Sequence, residues 1–281
     1  MGQREVSAAF LQSVKSIVGQ LDRDAIVAAL EAGLGSDVER AVETILVDRP
    51  YRRLAGALSR ELLQPTPTDT QSLVVDLADP RTVAWAREYQ VGLERVLVQS
   101  TRESLRLALA RHVRDSLTPD VSADHVMRTI GLAPSQETAV ANYRRMLETR
   151  DAEVLARRLA DRRFRMTGLS EQKIDMMSRR YAEKFLRYRA AVLARTEYHR
   201  VREAAHWLAG LDAGGVRRHW VYVHDDRTRH AHRTIPSLNP DGVGVNEPFE
   251  SELGPIMFPG DPRAVLANTV NCRCRVELRD V

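Results

Sequence analysis

The chain has 281 residues, with 42 Lys and Arg against 38 Asp and Glu, a net charge of +4 and an apolar fraction of 43%. That is enough for one large buried core or two ordinary ones, and the 28% charged residues belong to a solvated surface. No apolar run approaches bilayer length, the first residues lack a secretory h-region, and two cysteines two positions apart are no disulfide framework, so the chain reads as a cytoplasmic product.

Aromatic residues are only 5%, so helices here must be packed by Leu, Val, Ala, Ile and Met. Phe10, Val14, Ile17, Val18 and Leu21, then Ile26, Ala29 and Leu30, recur at helical spacing. Gly33 and Gly35 predict a stop, with Ser36-Asp37 as the next N-cap and a helix over 38–63 that Pro50 breaks. Gln64-Pro65-Thr66-Pro67 opens a linker over 64–70, and 72–77 reads as a short extended segment. A long helix is predicted over 81–117, with a possible kink at Gly92, carrying Trp85, Tyr89, Leu93, Val96 and Leu97. After Pro119, Ser122 reads as the cap of a helix over 123–130, and residues 131–135 repeat the stop before a helix over 136–148. The dense Asp, Glu and Arg of 151–165 read as a solvated helical face.

Between Gly168 and Gly210 there is neither glycine nor proline, which predicts the longest helix. Its stripe is Ile174, Met177, Tyr181, Phe185, Tyr188, Val192 and Val201, the pattern of a core or a partner interface. Residues 212–215 end it. The pattern then changes: 219–223 and 272–278 read as strands, separated by glycine- and proline-rich turns. The expected fold is mainly α with a small C-terminal α+β module, long amphipathic helices followed by a short antiparallel sheet. The expected segments are a helical 1–70, a helical 71–168 and an α+β unit over 169–281.

Side-chain chemistry is concentrated at the C-terminal end, where six of eight histidines and both cysteines lie. Cys272 and Cys274, at i and i+2 on a strand, would point to one face, where two soft ligands suit Zn²⁺ with imidazole partners. His230 and His232 have the same spacing, and His224 is near. Ordinary buried, reduced cysteines are the plainer alternative. Asp225-Asp226 reads as a turn whose carboxylates bond their own backbone, with a metal or acid–base role as the other possibility. The histidine-rich loop with Asn268 or Asn271 also admits a metal-dependent nuclease or a transferase, although no phosphate-cradling glycine loop accompanies it. Glu197 reads most simply as an ion-pair partner of Arg200 or of the loop that follows the helix. The excess of arginine over lysine follows from codon bias as readily as from contact with nucleic acid.

Four motifs occur in order: Ala194-Arg195-Thr196-Glu197 late in the long helix, Asp225-x-Arg227-Thr228-Arg229-x-x-His232, Phe258-Pro259-Gly260-Asp261, and Asn271-Cys272-Arg273-Cys274. Together they resemble the phage Mu F-like head morphogenesis proteins, minor head proteins of tailed phages and prophages, over residues 170–281. The stretch from Gly131 to Leu147 is similar to the helical region that precedes the module in many members. The resemblance implies a protein without catalytic activity, bound to the portal protein or to the major capsid protein of the inner head wall. It would lie in the virion near the portal vertex, after assembly in the host cytoplasm, in non-specific contact with packaged DNA and with no membrane partner. It also implies a structural zinc site at His232, Cys272 and Cys274. Some relatives have Cys-x-x-Cys where this chain has Arg229 and His232, and a His where it has Thr269-Val270. The fourth ligand is therefore open among His230, His224 and Asp225. Arg195, Glu197, Asp225, Arg227 and Arg229 are expected to form one polar network holding helix to sheet.

Overall fold

Helix-forming stretches punctuated by short caps dominate the chain up to Gly210. The structure is a computed structural model that describes residues 2–62, 79–149, 169–211 and 215–280. The 64–70 linker, the 72–77 extended segment, the charged 151–165 face and residues 212–214 of the last stop lie outside the described residues. The helices are α1 (Gln3–Gln20), α2 (Arg23–Glu31), α3 (Gly35–Val47), α4 (Arg52–Leu62), α5 (Pro80–Arg114), α6 (Pro119–Thr129), α7 (Pro134–Thr149) and α8 (Glu171–Gly210). Strand β1 (Val216–Val221), the one-turn helices α9 (His230–Arg233), α10 (Ile235–Leu238) and α11 (Leu266–Thr269), and strand β2 (Arg275–Asp280) complete the order. The protein is thus mainly α with a small α+β module near its C-terminus. No described helix is long and apolar enough to cross a membrane.

Several boundaries differ from the sequence expectation for identifiable reasons. Asp22 caps α2 by accepting the N–H groups of Asp24 and Ala25, so the first apolar stretch is two helices. Ser36 and Asp37 lie inside the first turn of α3, whose N-cap position is Leu34 with no side-chain bond. Pro119 starts α6 at its first turn, where a missing N–H costs nothing, and Thr118 is the cap. Ser122 is therefore a buried helical residue, 2.8 Å from His112 Nδ1. Helix α5 runs through Gly92 without interruption.

The chain divides into two compact units. One comprises Leu11–Tyr51 and Arg95–Arg189, the other Met1–Phe10, Arg52–Glu94 and Ala190–Val281. The long helices α5 and α8 each contribute one end to either unit, so these units cut across the consecutive segments 1–70, 71–168 and 169–281. In the first unit Tyr143 and Leu147 pack on Ile174 and Met177, and Leu132 and Val140 on Ala182. Gly131 ends α6 at φ 84°, with Val14 so close that a Cβ would sit 2.5 Å from its Cγ2. The stripe expected on α8 holds as far as Phe185, but Tyr188 is 58% exposed. In the second unit the buried apolar residues of α8 are Ala190, Ala194, Val201, Ala204, Ala205, Leu208 and Ala209. Over 40 residues a straight helix drifts against any fixed spacing, and small side chains take over the contact.

The first unit buries a charged cluster. Arg111 Nη2 donates to Glu137 Oε2 at 3.0 Å, and His125 Nε2 is 3.6 Å from Glu137 Oε1. Burial, aided by Arg128, Arg111 and Arg144, pushes the His125 imidazole down to about 4. The unfolded chain protonates this histidine below about 6.5 and the folded chain does not until about 4, so the histidine's contribution to folding stability falls as pH drops through that window. The contribution is on the order of 2 kcal/mol. Burial also pushes the neighbouring Glu137 carboxyl up to about 7, which acts in the opposite sense over the same window, so the test is a difference: between pH 7 and pH 4.5, urea unfolding is expected to show a less favourable change for the native protein than for His125→Leu. Equal changes in the two would contradict it.

In the second unit β1 and β2 pair antiparallel, with Trp220 opposite Val276 and Val221 opposite Arg275. The free side of β1 meets Val243 at Arg218, and Phe249 bridges to Ile256. Trp220, Ile235, Val243, Phe249, Ile256, Cys272, Cys274 and Val276 form the core. Strand β1 begins earlier than the expected 219–223, because Arg217 and Arg218 join the ladder with their guanidinium groups bonded to loop carbonyls. Strand β2 begins later than the expected 272–278. Asn271 takes φ 55° and Cys272 N–H bonds Thr269 O, so the cysteines form an extended lead-in before the strand.

Candidate metal centre

On α8, Thr196, His199, Arg200 and Glu203 fall at three- and four-residue steps and share one face. Thr196 Oγ1 accepts the Asn271 N–H at 3.1 Å, and Glu203 Oε2 accepts the Val276 N–H at 3.2 Å. These two bonds lay residues 271–276, with both cysteines between the anchors, along the helix.

His232 enters from α9 and is 1% exposed; Cys272 and Cys274 are 6% and 2% exposed and not joined to each other. The His232 Nδ1 lies 3.3 Å from Cys274 Sγ and 3.6 Å from Cys272 Sγ. Donors at the usual Zn–S and Zn–N lengths around a tetrahedral ion stand about 3.5 Å apart. The three side chains can therefore hold a metal ion with little rearrangement.

Surrounding bonds orient the imidazole. Asn268 Nδ2 donates to Ser251 Oγ at 3.1 Å, which turns Asn268 Oδ1 toward His232 Nε2 at 2.7 Å. The Nε2 proton is held there, and the Nδ1 lone pair faces the sulfurs. Trp220 stacks edge-on to the ring at 5.5 Å. A hydrogen bond with Cys274, together with burial, pushes the Cys272 thiol up to about 11, while His199 and His232 act the other way. The same sulfur–sulfur bond lowers Cys274 against burial, and the Trp220 N–H favours its thiolate. Burial opposes charge on His232, but its bonds to Cys272 and Asn268 and the Cys272 charge outweigh that and raise it. Two neighbouring sulfurs beside an oriented imidazole form a donor set from which a soft divalent cation can displace the protons.

The other expected ligands lie elsewhere. His230 has an 81% exposed side chain, 3.5 Å from Glu252. It sits on a helical turn with His232, where residues i and i+2 point about 200° apart rather than to one face. His224 is exposed and tilted against Tyr222, and Asp225 closes a turn by accepting the N–H groups of Arg227 and Thr228.

The five-residue polar network is not one network. Glu197 is buried, pairs with Arg200 Nη1 at 2.7 Å and accepts the Tyr89 hydroxyl at 2.9 Å, while Arg200 Nε donates to Gly260 O at 2.6 Å. Asp225 pairs separately with both Nη atoms of Arg273, at 2.6 and 2.7 Å, which with its bonds to Thr228 and Arg227 holds its carboxyl well below the usual range. Arg229 reaches Val270 O, exposed Arg195 reaches Asn271 Oδ1 at 3.4 Å, and Arg227 is exposed. The separation arises because Glu197 and Arg195 lie on opposite sides of α8. In Phe258-Pro259-Gly260-Asp261, Phe258 stacks on Trp207 at 5.4 Å and Asp261 accepts the Met257 and Arg263 N–H groups. Gly260, at φ 85°, brings its backbone so close that a Cβ would meet Arg200 Cα at 3.3 Å.

The sequence reading missed Arg273, which lies between the two cysteines, and His199, two positions beyond Glu197. The α8 pattern of Thr196, His199 and Glu203 carried a usable signal, since polar residues at that spacing on an otherwise buried face need partners. Family models, curated proteins and solved structures contain no match to the chain.

Proposed function

We propose that this chain is a minor head protein of a tailed phage or prophage-like particle, with a zinc-stapled α+β module as its compact anchor. The four ordered motifs resemble the Mu F-like head morphogenesis proteins. The observation that carries the reading is what the motif residues contact. Glu197 is held by Arg200 and Tyr89, Gly260 by Arg200, Asp225 by Arg273, and His232 by Cys272, Cys274 and Asn268. Motifs spent on one another in this way suit a rigid building block of an assembly. With its three ligands almost wholly buried, the metal centre suits a structural zinc, which staples a two-stranded sheet with a small core. The expected partners are the portal protein, the major capsid protein and packaged DNA, the last met through arginine without sequence readout.

Quantitative mass spectrometry of particles from a source carrying this gene tests the reading. The chain is expected at a few to a few dozen copies per particle, released together with the portal on disruption. Absence from both virions and procapsids would overturn it. A metal-dependent hydrolysis of nucleic acid by the purified protein, lost in His232→Ala with the fold intact, would instead identify a nuclease.

A further inference from the structure

We infer that His199 of α8 is the fourth ligand of the centre formed by His232, Cys272 and Cys274, giving a closed site of two nitrogens and two sulfurs that pins the long helix to the lead-in of β2. The inference rests on the reading that this cluster binds a metal ion.

Position is the first support. Thr196 and Glu203 are bonded to the backbone of Asn271 and Val276, and His199 lies between them on the same helix face, as Cys272 and Cys274 lie between the two backbone anchors. The helix therefore offers one histidine at the level of the sulfurs. Burial is the second. His199 Nε2 is shut off from solvent and has no hydrogen-bond partner, a costly arrangement for a ring nitrogen. The ring lies beside Cys272, without a hydrogen bond of ordinary geometry from that nitrogen. A metal ion on the sulfurs gives that nitrogen the partner it lacks. The third support is the far side of the ring, where Glu203 Oε1 stands 4.0 Å from His199 Nδ1. At that distance the two are not hydrogen-bonded, but a small turn of the ring would let the Glu203 oxygen accept the Nδ1 proton, the usual device that sets the direction of a metal-bound imidazole. Asn268 plays the same part behind His232.

Chemistry selects the ion. Two thiolates and two imidazoles in a closed tetrahedron suit Zn²⁺, and Mg²⁺ or Ca²⁺ would need oxygen donors. His230, His224 and Asp225 are held elsewhere. The three-residue cluster lies within 4.8 Å between donor atoms, and His199 is not among its members. Binding therefore draws the ring inward and tightens the contact between α8 and the β2 lead-in.

Cobalt substitution of the full-length protein tests this. The metal-free native chain is titrated with Co²⁺ and then Zn²⁺, beside His199→Cys, His199→Gln and, as a control, His230→Gln. The native protein is expected to take one Co²⁺ with a tetrahedral spectrum and sulfur-to-cobalt charge transfer. His199→Cys is expected to raise that charge transfer by about half, as three thiolates replace two. His199→Gln is expected to weaken Zn²⁺ binding by about 100-fold or more, and His230→Gln to leave it unchanged. If the native chain binds Co²⁺ while His199→Cys adds no charge transfer and His199→Gln keeps native affinity, the three-residue centre stands and the role of His199 is overturned. If the native chain binds neither ion, the metal reading falls and this inference falls with it. Because His199→Cys reads a gain of signal in the metal-bound state, a fold lost in His199→Gln leaves the question decided.

Discussion

Chelation is expected to lower the melting temperature of the purified full-length protein sharply, with the loss of protection centred on residues 216–280. His232, Cys272 and Cys274 are part of the core around Trp220, so an ion there ties α9, the β2 lead-in and the sheet together. A metal bound only by the folded state stabilises it by about 4 kcal/mol when free metal exceeds Kd a thousandfold. Without it, the buried sulfurs and the His232 Nδ1 are joined only by weak sulfur hydrogen bonds, at 3.3 and 3.6 Å, a weaker tie. Hydrogen exchange with and without chelator should show faster exchange at Cys272, Cys274 and Val276, restored by added Zn²⁺. Cys274→Ala should reproduce the chelated state and no longer respond to zinc. A melting temperature indifferent to both chelator and zinc would refute the structural metal.

Arg218→Met is expected to destabilise the same unit by about 3–5 kcal/mol in urea unfolding. Arg218 is fully buried on β1. Its Nε and Nη2 reach Gly244 O at 3.2 Å, Nη1 reaches Met257 O, and Nη2 also reaches Glu247 O. The guanidinium lies 5.1 Å from the centre of the Phe249 ring. Burial pushes its pKa down to about 10, which still leaves it charged at neutral pH. One planar fork thus satisfies the carbonyls of a loop that has almost no regular ladder of its own. Methionine fills the volume but leaves those carbonyls dry and unpaired, and that penalty exceeds the modest net worth of the bonds themselves. Arg218→Lys should recover only part of the loss, because a single ammonium cannot span three separate acceptors. A loss under about 1 kcal/mol in Arg218→Met would mean that the loop finds other partners.

Local pattern was enough for the fold class, for the long helices and for the two short strands. Helix periodicity, glycine stops and β-branched runs are short-range signals, and each acts within a few residues of where it is read. The same holds for Cys272 and Cys274 as a pair, since an extended chain at i and i+2 turns both to one side whether or not it is hydrogen-bonded in a strand. Tertiary structure decided the rest. His230 and His232 look equivalent in sequence, yet two helical residues separate them by about 200° and only His232 enters the core. His199 stands apart from every motif cysteine in sequence, and two backbone bonds to α8 bring it to their level. Arg218 would pass for a surface charge until Val243 pairs with it and the loop folds over its guanidinium. For His199 and Arg218 the deciding contact joins residues far apart along the chain, and no pattern within either stretch carries that distance.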